Sequence, residues 1–471
     1  MPSSENLNSA SARLAAPWRG ALCIFAVGIL GNLALILDPG FFSHDEWQKY
    51  DFVTERGYAA FANALGRLQA GPNFGAPVRP LGFLQQGFVS RWMISAPIIP
   101  HLFSVLLHAF TAVLLWRVLL AVNVRNAAAL VAATLFAISP LALPAVGWTA
   151  ASFDQWYVLF ALSAISVAFR ILESGFRVRL CLMLLLWSAC AMLSKETAIV
   201  LPVAVGASII GKNMLDRHPW QWRSAILAGL LSALPVIGFL LIRLPAIINT
   251  LHGVGGSGGA YKPSLSLLVP NAIDYFQFPF LWRLAELVAI TDQPTMMRLF
   301  AGIAHLVVVA ALFAKGGWRV ALVYLAGYFI FLLPVLVIPT LGAHYLYASA
   351  ISLSVALAYL FEASGSSRVT RMVVALCCVV LLVAHSYHIQ KDFRFVGRCQ
   401  MHLLASLDQQ MSRRQAGDVI DVAVPFGVPG YIGVRSTFGR DKYKNVHFDE
   451  TDKSPKQSDL VMQPSCKVVE D

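Results

Sequence analysis

Charge is what this sequence has least of. Of its 471 residues only 13% are Asp, Glu, Lys or Arg, while 57% are hydrophobic; soluble domains carry roughly a quarter charged residues. That shortage excludes a soluble globular enzyme, and the chain reads as an integral membrane protein. Metal and redox motifs are also missing. The seven cysteines include no CxxC and no Cys/His spacing of a zinc site. Cys23, Cys181, Cys190, Cys377 and Cys378 fall in apolar runs, where a thiol packs as a small hydrophobe. Cys399 and Cys466 lie beyond the last run and are expected to bridge if that tail meets an oxidising compartment. No basic stripe interleaved with aromatics is present, so the surplus of 36 basic over 25 acidic residues points to loops flanking membrane helices rather than to nucleic acid. No internal repeat and no small-residue cleavage site after the first apolar run are found, so that run is read as a retained helix.

What is there is apolar sequence in long stretches. A spanning helix needs roughly 20 mainly apolar residues. About eleven candidates follow: 20–37, 97–121, 127–146, 156–172, 179–194, 196–211, 225–248, 299–314, 319–338, 343–361 and 372–390. The expected fold is an all-α polytopic membrane protein. Residues 1–19 form a cytoplasmic N-terminus, 20–390 the transmembrane domain and 391–471 a small periplasmic tail. The fifth and sixth spans are separated only by Ser194-Lys195-Glu196, which predicts a tight helical hairpin. Basic residues recur at alternate loops (Arg13/Arg19, Arg117/Arg125, Arg170/Arg177/Arg179, Lys212/Arg217/Arg223, Lys315/Arg319, Arg368/Arg371), so the expected topology is N-in, C-out.

Three outer segments are long. In 38–96, Tyr50, Phe52/Val53, Ala60/Phe61 and Leu65/Leu68 recur at helical spacing, which predicts one or two interfacial helices. Segment 249–298 opens on GVGGSGG, a flexible hinge, and continues as an aromatic interfacial stretch. In the tail, DVIDVAVPFGVPGYIGV suggests a few strands, and DETDKSPKQSD has the composition of a disordered segment.

The ionisable residues that remain gather on the outer side. FFSHDEWQKYDF, 41–52, carries Asp45 and Glu46 just after the first span; a pair of acids there can be a solvated helix cap. WTAASFDQW carries Asp154, in a position that also suits an N-cap. Lys195 and Glu196 between two spans can be a local ion pair, and His344 with Tyr345 can be interfacial. Together they place acids and cations on one membrane face, where polar groups are costly unless they converge on water or substrate. Carboxylates beside cations suit a group transfer in which an acid deprotonates a hydroxyl while cations neutralise a phosphate.

These motifs resemble the GT-C superfamily of integral-membrane glycosyltransferases. HDEW stands where such enzymes carry an acidic pair after the first helix. GWTAASFDQWYVLF resembles the W-x-x-G-R-x-D-x-L segment of the tetratricopeptide-linked O-mannosyltransferase branch, with Ala151 and Ser152 in place of Gly-Arg. LSKETAIVLP resembles its S-K-E motif, and HYLYASAISL its R-Y-L-Y-x-P-S segment, with His344 for Arg; no tetratricopeptide repeats follow. The resemblance covers roughly 20–390. It implies Asp45 as general base, Glu46 positioning the acceptor or a divalent metal, Asp154 on sugar hydroxyls, and Lys195 and His344 on the donor phosphate. Glu196 and Tyr345 would complete the substrate site. The implied activity is hexose transfer from a polyprenyl-phosphate donor to a cell-envelope glycan such as O-antigen lipopolysaccharide, at a bacterial inner membrane. Two other readings stay open. A transporter or flippase would put ionisable groups at mid-bilayer in repeated halves. A polyprenyl-diphosphate-glycan polymerase or ligase would use the outer arginines Arg56, Arg67, Arg79, Arg91, Arg283 and Arg298.

Overall fold

The computed structural model describes residues 17–37, 40–41, 44–67, 79–216, 219–251, 263–277, 295–365, 367–415, 418–425, 430–437, 440–450 and 460–470. The chain is a polytopic helical protein with one small sheet. Its helices are α1 Pro17–Gly31, α2 Leu33–Leu37, α3 His44–Arg67, α4 Pro80–Ser90, α5 Ile98–Ala121, α6 Asn126–Ala137, α7 Leu143–Gly147 and α8 Ser152–Ser174. They continue as α9 Val178–Ser194, α10 Leu201–Asp216, α11 Trp222–Leu251, α12 Leu268–Phe276, α13 Thr295–Phe329, α14 Tyr347–Ala363, α15 Arg368–Met411 and α16 Gly430–Thr437.

Among the described residues, seven helices are long and apolar enough to cross a membrane, or eight if the bent pair 126–137 and 140–147 is one span. The expectation of eleven is higher for identifiable reasons. Trp18–Gly31 and Val178–Ser194 are apolar but shorter than a full crossing. The expected spans 299–314 and 319–338 share one element, α13, broken at Gly317, whose φ of +74° is a left-handed value that glycine tolerates best. That second span also stops early: α13 ends at Phe329 and turns lead on to 338, since Pro334 cannot donate to the preceding helical turn. Asn271 Nδ2 instead caps the Leu336 and Ile338 carbonyls at 2.8 Å each.

Proline also sets the break between α6 and α7. Pro140 interrupts the expected span 127–146 with a 48° bend, and the freed carbonyls need donors from neighbouring helices. Asn32 Nδ2 reaches Ala137 O at 3.1 Å, His108 Nε2 lies 3.2 Å from the same oxygen, and Ser386 Oγ donates to Ile138 O at 2.6 Å. A buried seam joining α5, α6 and α15 results.

The predicted tight hairpin of 179–194 with 196–211 is not formed. α9 packs chiefly on α8 and α11, and α10 on α11 and α8. The apolar faces of the two helices therefore find other partners, and Lys195 in the short link between them is buried. The helical spacing of the first long loop corresponds to α3 and α4, packed on each other; α3 bends at Gly57, φ +80°. Expected strands fall differently. Among the described residues of DVIDVAVPFGVPGYIGV, Ile420–Val424 is the strand, and 430–437 is helix. Strands β1 Ile420–Val424, β2 Val446–Glu450, β3 Leu460–Met462 and β4 Val468–Glu470 form a sheet ordered β2-β1-β3-β4, parallel except for β3–β4. Residues 451–459 and the GVGGSGG hinge lie outside the described residues. The tail has no boundary at 391, because α15 runs unbroken for 44 residues; at ~1.5 Å per residue that is about twice a hydrocarbon core. The Cys399–Cys466 bridge is closed and ties the β3–β4 turn to this helix.

Candidate active site

The site begins with one extended residue. α9 ends at Ser194, Lys195 is extended (φ −157°, ψ 137°), and Glu196–Val200 is a 3-10 turn. Successive side chains on extended backbone point to opposite sides, so Lys195 and Glu196 do not pair with each other. Lys195 Nζ donates to both carboxylate oxygens of Asp154 at 2.6 Å. Glu196 takes the guanidinium fork of Arg79, with Nε to Oε2 at 2.6 Å. Asp154 is not an N-cap: Ala151 holds that place without a side-chain bond, and Asp154 sits in the first turn of α8. Burial pulls the Lys195 ammonium below its ordinary pKa, and the Asp154 carboxylate opposes that pull. Burial would also lower Arg79, but the Glu196 carboxylate outweighs it and keeps the guanidinium charged.

A second ring of contacts closes around these pairs. The Lys195 ammonium stands 4.4 Å from the Tyr345 ring centre. The His344 ring lies 4.0 Å from Tyr345 and meets Trp148 edge-on at 5.0 Å. Among the described residues His344 Nδ1 is buried with no hydrogen-bond partner, and Tyr275 OH donates to Gly342 O at 3.3 Å. From α3, buried Glu46 accepts from the Thr149 hydroxyl and from Ala150 N–H at 3.1 Å. From α4, Gln86 Nε2 donates to Ala150 O at 2.7 Å, and Ser152 Oγ donates to Gln85 at 2.8 Å.

Phe153 links the two halves. Lys49 Nζ lies 5.4 Å from its ring and Arg79 4.9 Å, with Phe83 also 5.2 Å from Lys49. Burial lowers Lys49 to a pKa of about 8, against the attraction of Asp45 and Glu46. Asp45 is half-buried on the same turn of α3.

Asp154, Lys195, Glu196, His344 and Tyr345 thus stand together, with Glu46 seated on the 149–150 turn and Asp45 beside it. Sequence reasoning missed Lys49, Thr149 and Tyr275, and counted Arg79 only among scattered outer arginines. Lys49 had a legible signal, since it is four residues after Asp45 and three after Glu46 on a helix. Arg79 had none, because its partner Glu196 is 117 positions away. Among the described residues no group of three His, Cys, Asp or Glu side chains could hold a metal ion, so the divalent metal implied for Glu46 has no donor set there. An apolar cavity of about 410 Å³ lies between α12 and α13, lined by Val269, Ile273, Phe276, Leu299, Ile303 and Phe329 among others.

No protein-family description and no curated protein sequence matches the chain. Among solved structures, it is similar to the archaeal oligosaccharyltransferase AglB from Archaeoglobus fulgidus in complex with an inhibitory peptide and a dolichol-phosphate. That match covers 86% of this chain at 12% identity with a TM-score of 0.46, and the chain spans 62% of the AglB chain. It is also similar to ArnT from Cupriavidus metallidurans bound to undecaprenyl phosphate, over 86% of this chain and 82% of that one, at 13% identity and a TM-score of 0.46.

Proposed function

We propose that the chain is a membrane glycosyltransferase that moves a hexose from a polyprenyl-phosphate donor to a hydroxyl of a cell-envelope glycan such as O-antigen. One observation carries the reading. Two ion pairs drawn from three separate segments, Asp154–Lys195 and Arg79–Glu196, are gathered in an otherwise largely apolar bundle, beside an acidic pair. Buried charges at helix ends are costly, and a charged substrate at the membrane surface gives them a use. The S-K-E, HDEW and HYLY resemblances fall on this same cluster.

In this reading the Asp45 carboxylate takes the proton of the acceptor hydroxyl as its oxygen attacks the anomeric carbon. The bond from that carbon to the donor phosphate oxygen breaks, and polyprenyl phosphate leaves. Lys195 and His344 are the phosphate ligands that the resemblance implies. Because Lys195 is held by Asp154 and Arg79 by Glu196, Lys49 shares the neutralisation of the phosphate. Asp154, Glu196 and Tyr345 border the sugar, Glu46 fixes the α3 turn on Thr149, and the apolar cavity takes part of the lipid tail. The site and the C-terminal sheet face the periplasm of a bacterial inner membrane, with residues 1–19 in the cytoplasm.

The diphosphate polymerase or ligase reading draws less support. Of the outer arginines that suggested it, Arg298 is taken by Asp274, Arg56 lies over Phe52, and Arg91 over Phe88 and Trp92. Arg67 and Arg283 have no described side chain. The decisive assay uses the full chain in phospholipid vesicles with a polyprenyl-phosphate-linked labelled hexose and envelope glycan. Label should move to the glycan with release of polyprenyl phosphate; a folded protein that leaves the donor intact with every envelope glycan tried rejects the reading.

A further inference from the structure

The C-terminal part of the chain meets the acidic helix and the residues before it at two places, one from the sheet domain and one from α15. Arg440 pairs with Asp51 of α3 through both guanidinium branches, Nε to Oδ2 at 2.6 Å and Nη2 to Oδ1 at 2.9 Å. Its guanidinium also lies 4.7 Å from the ring of Trp47, a side chain with no exposed surface, and 4.8 Å from that of Tyr443. The second contact precedes α3. Phe41 N–H donates to Gln400 Oε1 at 2.9 Å. Gly40 crosses Gly397 so closely that a Cβ on it would stand 2.1 Å from the Gly397 Cα. Both partners belong to α15. These contacts at 41 and 51 bracket Asp45 and Glu46. The Cys399–Cys466 bridge attaches the sheet to the same turn of α15 that holds Phe41, so both contacts hang on one rigid body. Tyr443 OH on Asp408 at 2.8 Å and Val468 N–H on Ser406 at 2.9 Å fasten it further.

We propose that the C-terminal domain is a clamp that holds the Asp45–Glu46 turn in register over the 149–154 segment, with Arg440 as its positioning residue. The bidentate contact at Asp51 falls between the Asp45–Glu46 turn and the bend of α3 at Gly57. A displacement of the order of 1 Å at a reacting group can cost about a hundredfold in rate, so the clamp acts on turnover through Asp45 and on donor capture through Lys49. Its activity arm rests on the transferase reading; its conformational arm does not.

The full chain in phospholipid vesicles tests both arms. With a polyprenyl-phosphate-linked hexose donor, Arg440→Ala is expected to lower kcat about 10- to 100-fold and, because Lys49 lies on the same segment, to raise the donor KM several-fold. Hydrogen exchange over residues 44–56 should speed up while that of α8 and α9 does not change. Exchanging the charges, Asp51→Arg with Arg440→Asp, should restore part of both properties relative to either single change. Should Arg440→Ala fail to fold, Arg440→Lys, which keeps the charge and loses the fork, is read the same way. Unchanged exchange over 44–56 overturns the clamp, whatever the enzyme does. Faster exchange with unchanged kcat shows contact without positioning and overturns the role of Arg440. If wild-type protein transfers no sugar, the transferase reading falls while the exchange measurement still decides the clamp.

Discussion

Lys195 and Asp154 are 41 positions apart, yet the ammonium meets both carboxylate oxygens at 2.6 Å, with the two residues 2% and 3% exposed. Removing one member of such a pair leaves a charge buried without its partner, which costs about 3–5 kcal/mol, whereas removing both is often neutral. Asp154→Asn and Lys195→Met should therefore each lower unfolding stability by about that much, and the double change should recover most of the loss. Thermal unfolding of detergent-solubilised protein reads this out. A Lys195→Met protein with full stability and weakened donor binding would show that the lysine serves the donor rather than Asp154.

The acidic pair of α3 divides its work by geometry. Adjacent helical residues point about 100° apart, and Glu46 faces Thr149 and Ala150 while Asp45 remains half-buried beside Lys49. Loss of a general base costs about 10²–10⁴-fold. Asp45→Asn should lower kcat by that factor with little change in stability. Glu46→Gln should lose about 1–3 kcal/mol of stability, as a charged acceptor of two hydrogen bonds becomes a neutral one. Near-normal turnover in Asp45→Asn would move the base elsewhere.

How far the sequence reached depends on the range of each interaction. Apolar runs and helical spacing are local signals, so the helical segments were legible, helices α3 and α4 of the first long loop among them. The membership of the cluster was legible through the motif resemblances, which placed Asp154, Lys195, Glu196, His344 and Tyr345 before their contacts were known. The pairing inside it was not. The S-K-E turn suggested a Lys195–Glu196 contact, and only the extended backbone at Lys195 sends the two residues to different partners. Arg440 was illegible because Asp51 lies 389 positions away and nothing near 440 marks it. The helical continuation of α15 to Met411 was missed because its extramembrane half is too polar to register as a span.

The tail should be held by its bridge. Cys399 and Cys466 enclose 67 positions, and closing a loop of that size constrains the unfolded chain by about 4 kcal/mol. Cys399→Ser should make the segment beyond Met411 markedly more sensitive to protease while leaving the membrane helices intact. In unreduced wild-type protein neither thiol should react with an alkylating reagent. Alkylation of both without reductant would show that the bridge is absent in the native chain.

Lys49 gives the site a pH dependence whose sign differs between stability and function. Burial holds its pKa at about 8 in the fold, while an unfolded lysine keeps its proton to about 10.4. Between those values the unfolded state binds more protons, so stability rises as pH increases through that window. Donor binding should move the other way, because an ammonium neutralising a phosphate is lost as pH passes about 8. Wild-type donor KM is expected to be flat below pH 7.5 and to rise several-fold by about pH 9.5, an expectation set by a single titrating cation. Lys49→Arg, which stays charged across this range, should remove the rise. Lys49→Gln should show the high KM at every pH. A wild-type KM that does not change up to pH 9.5 would mean that Lys49 does not meet the donor.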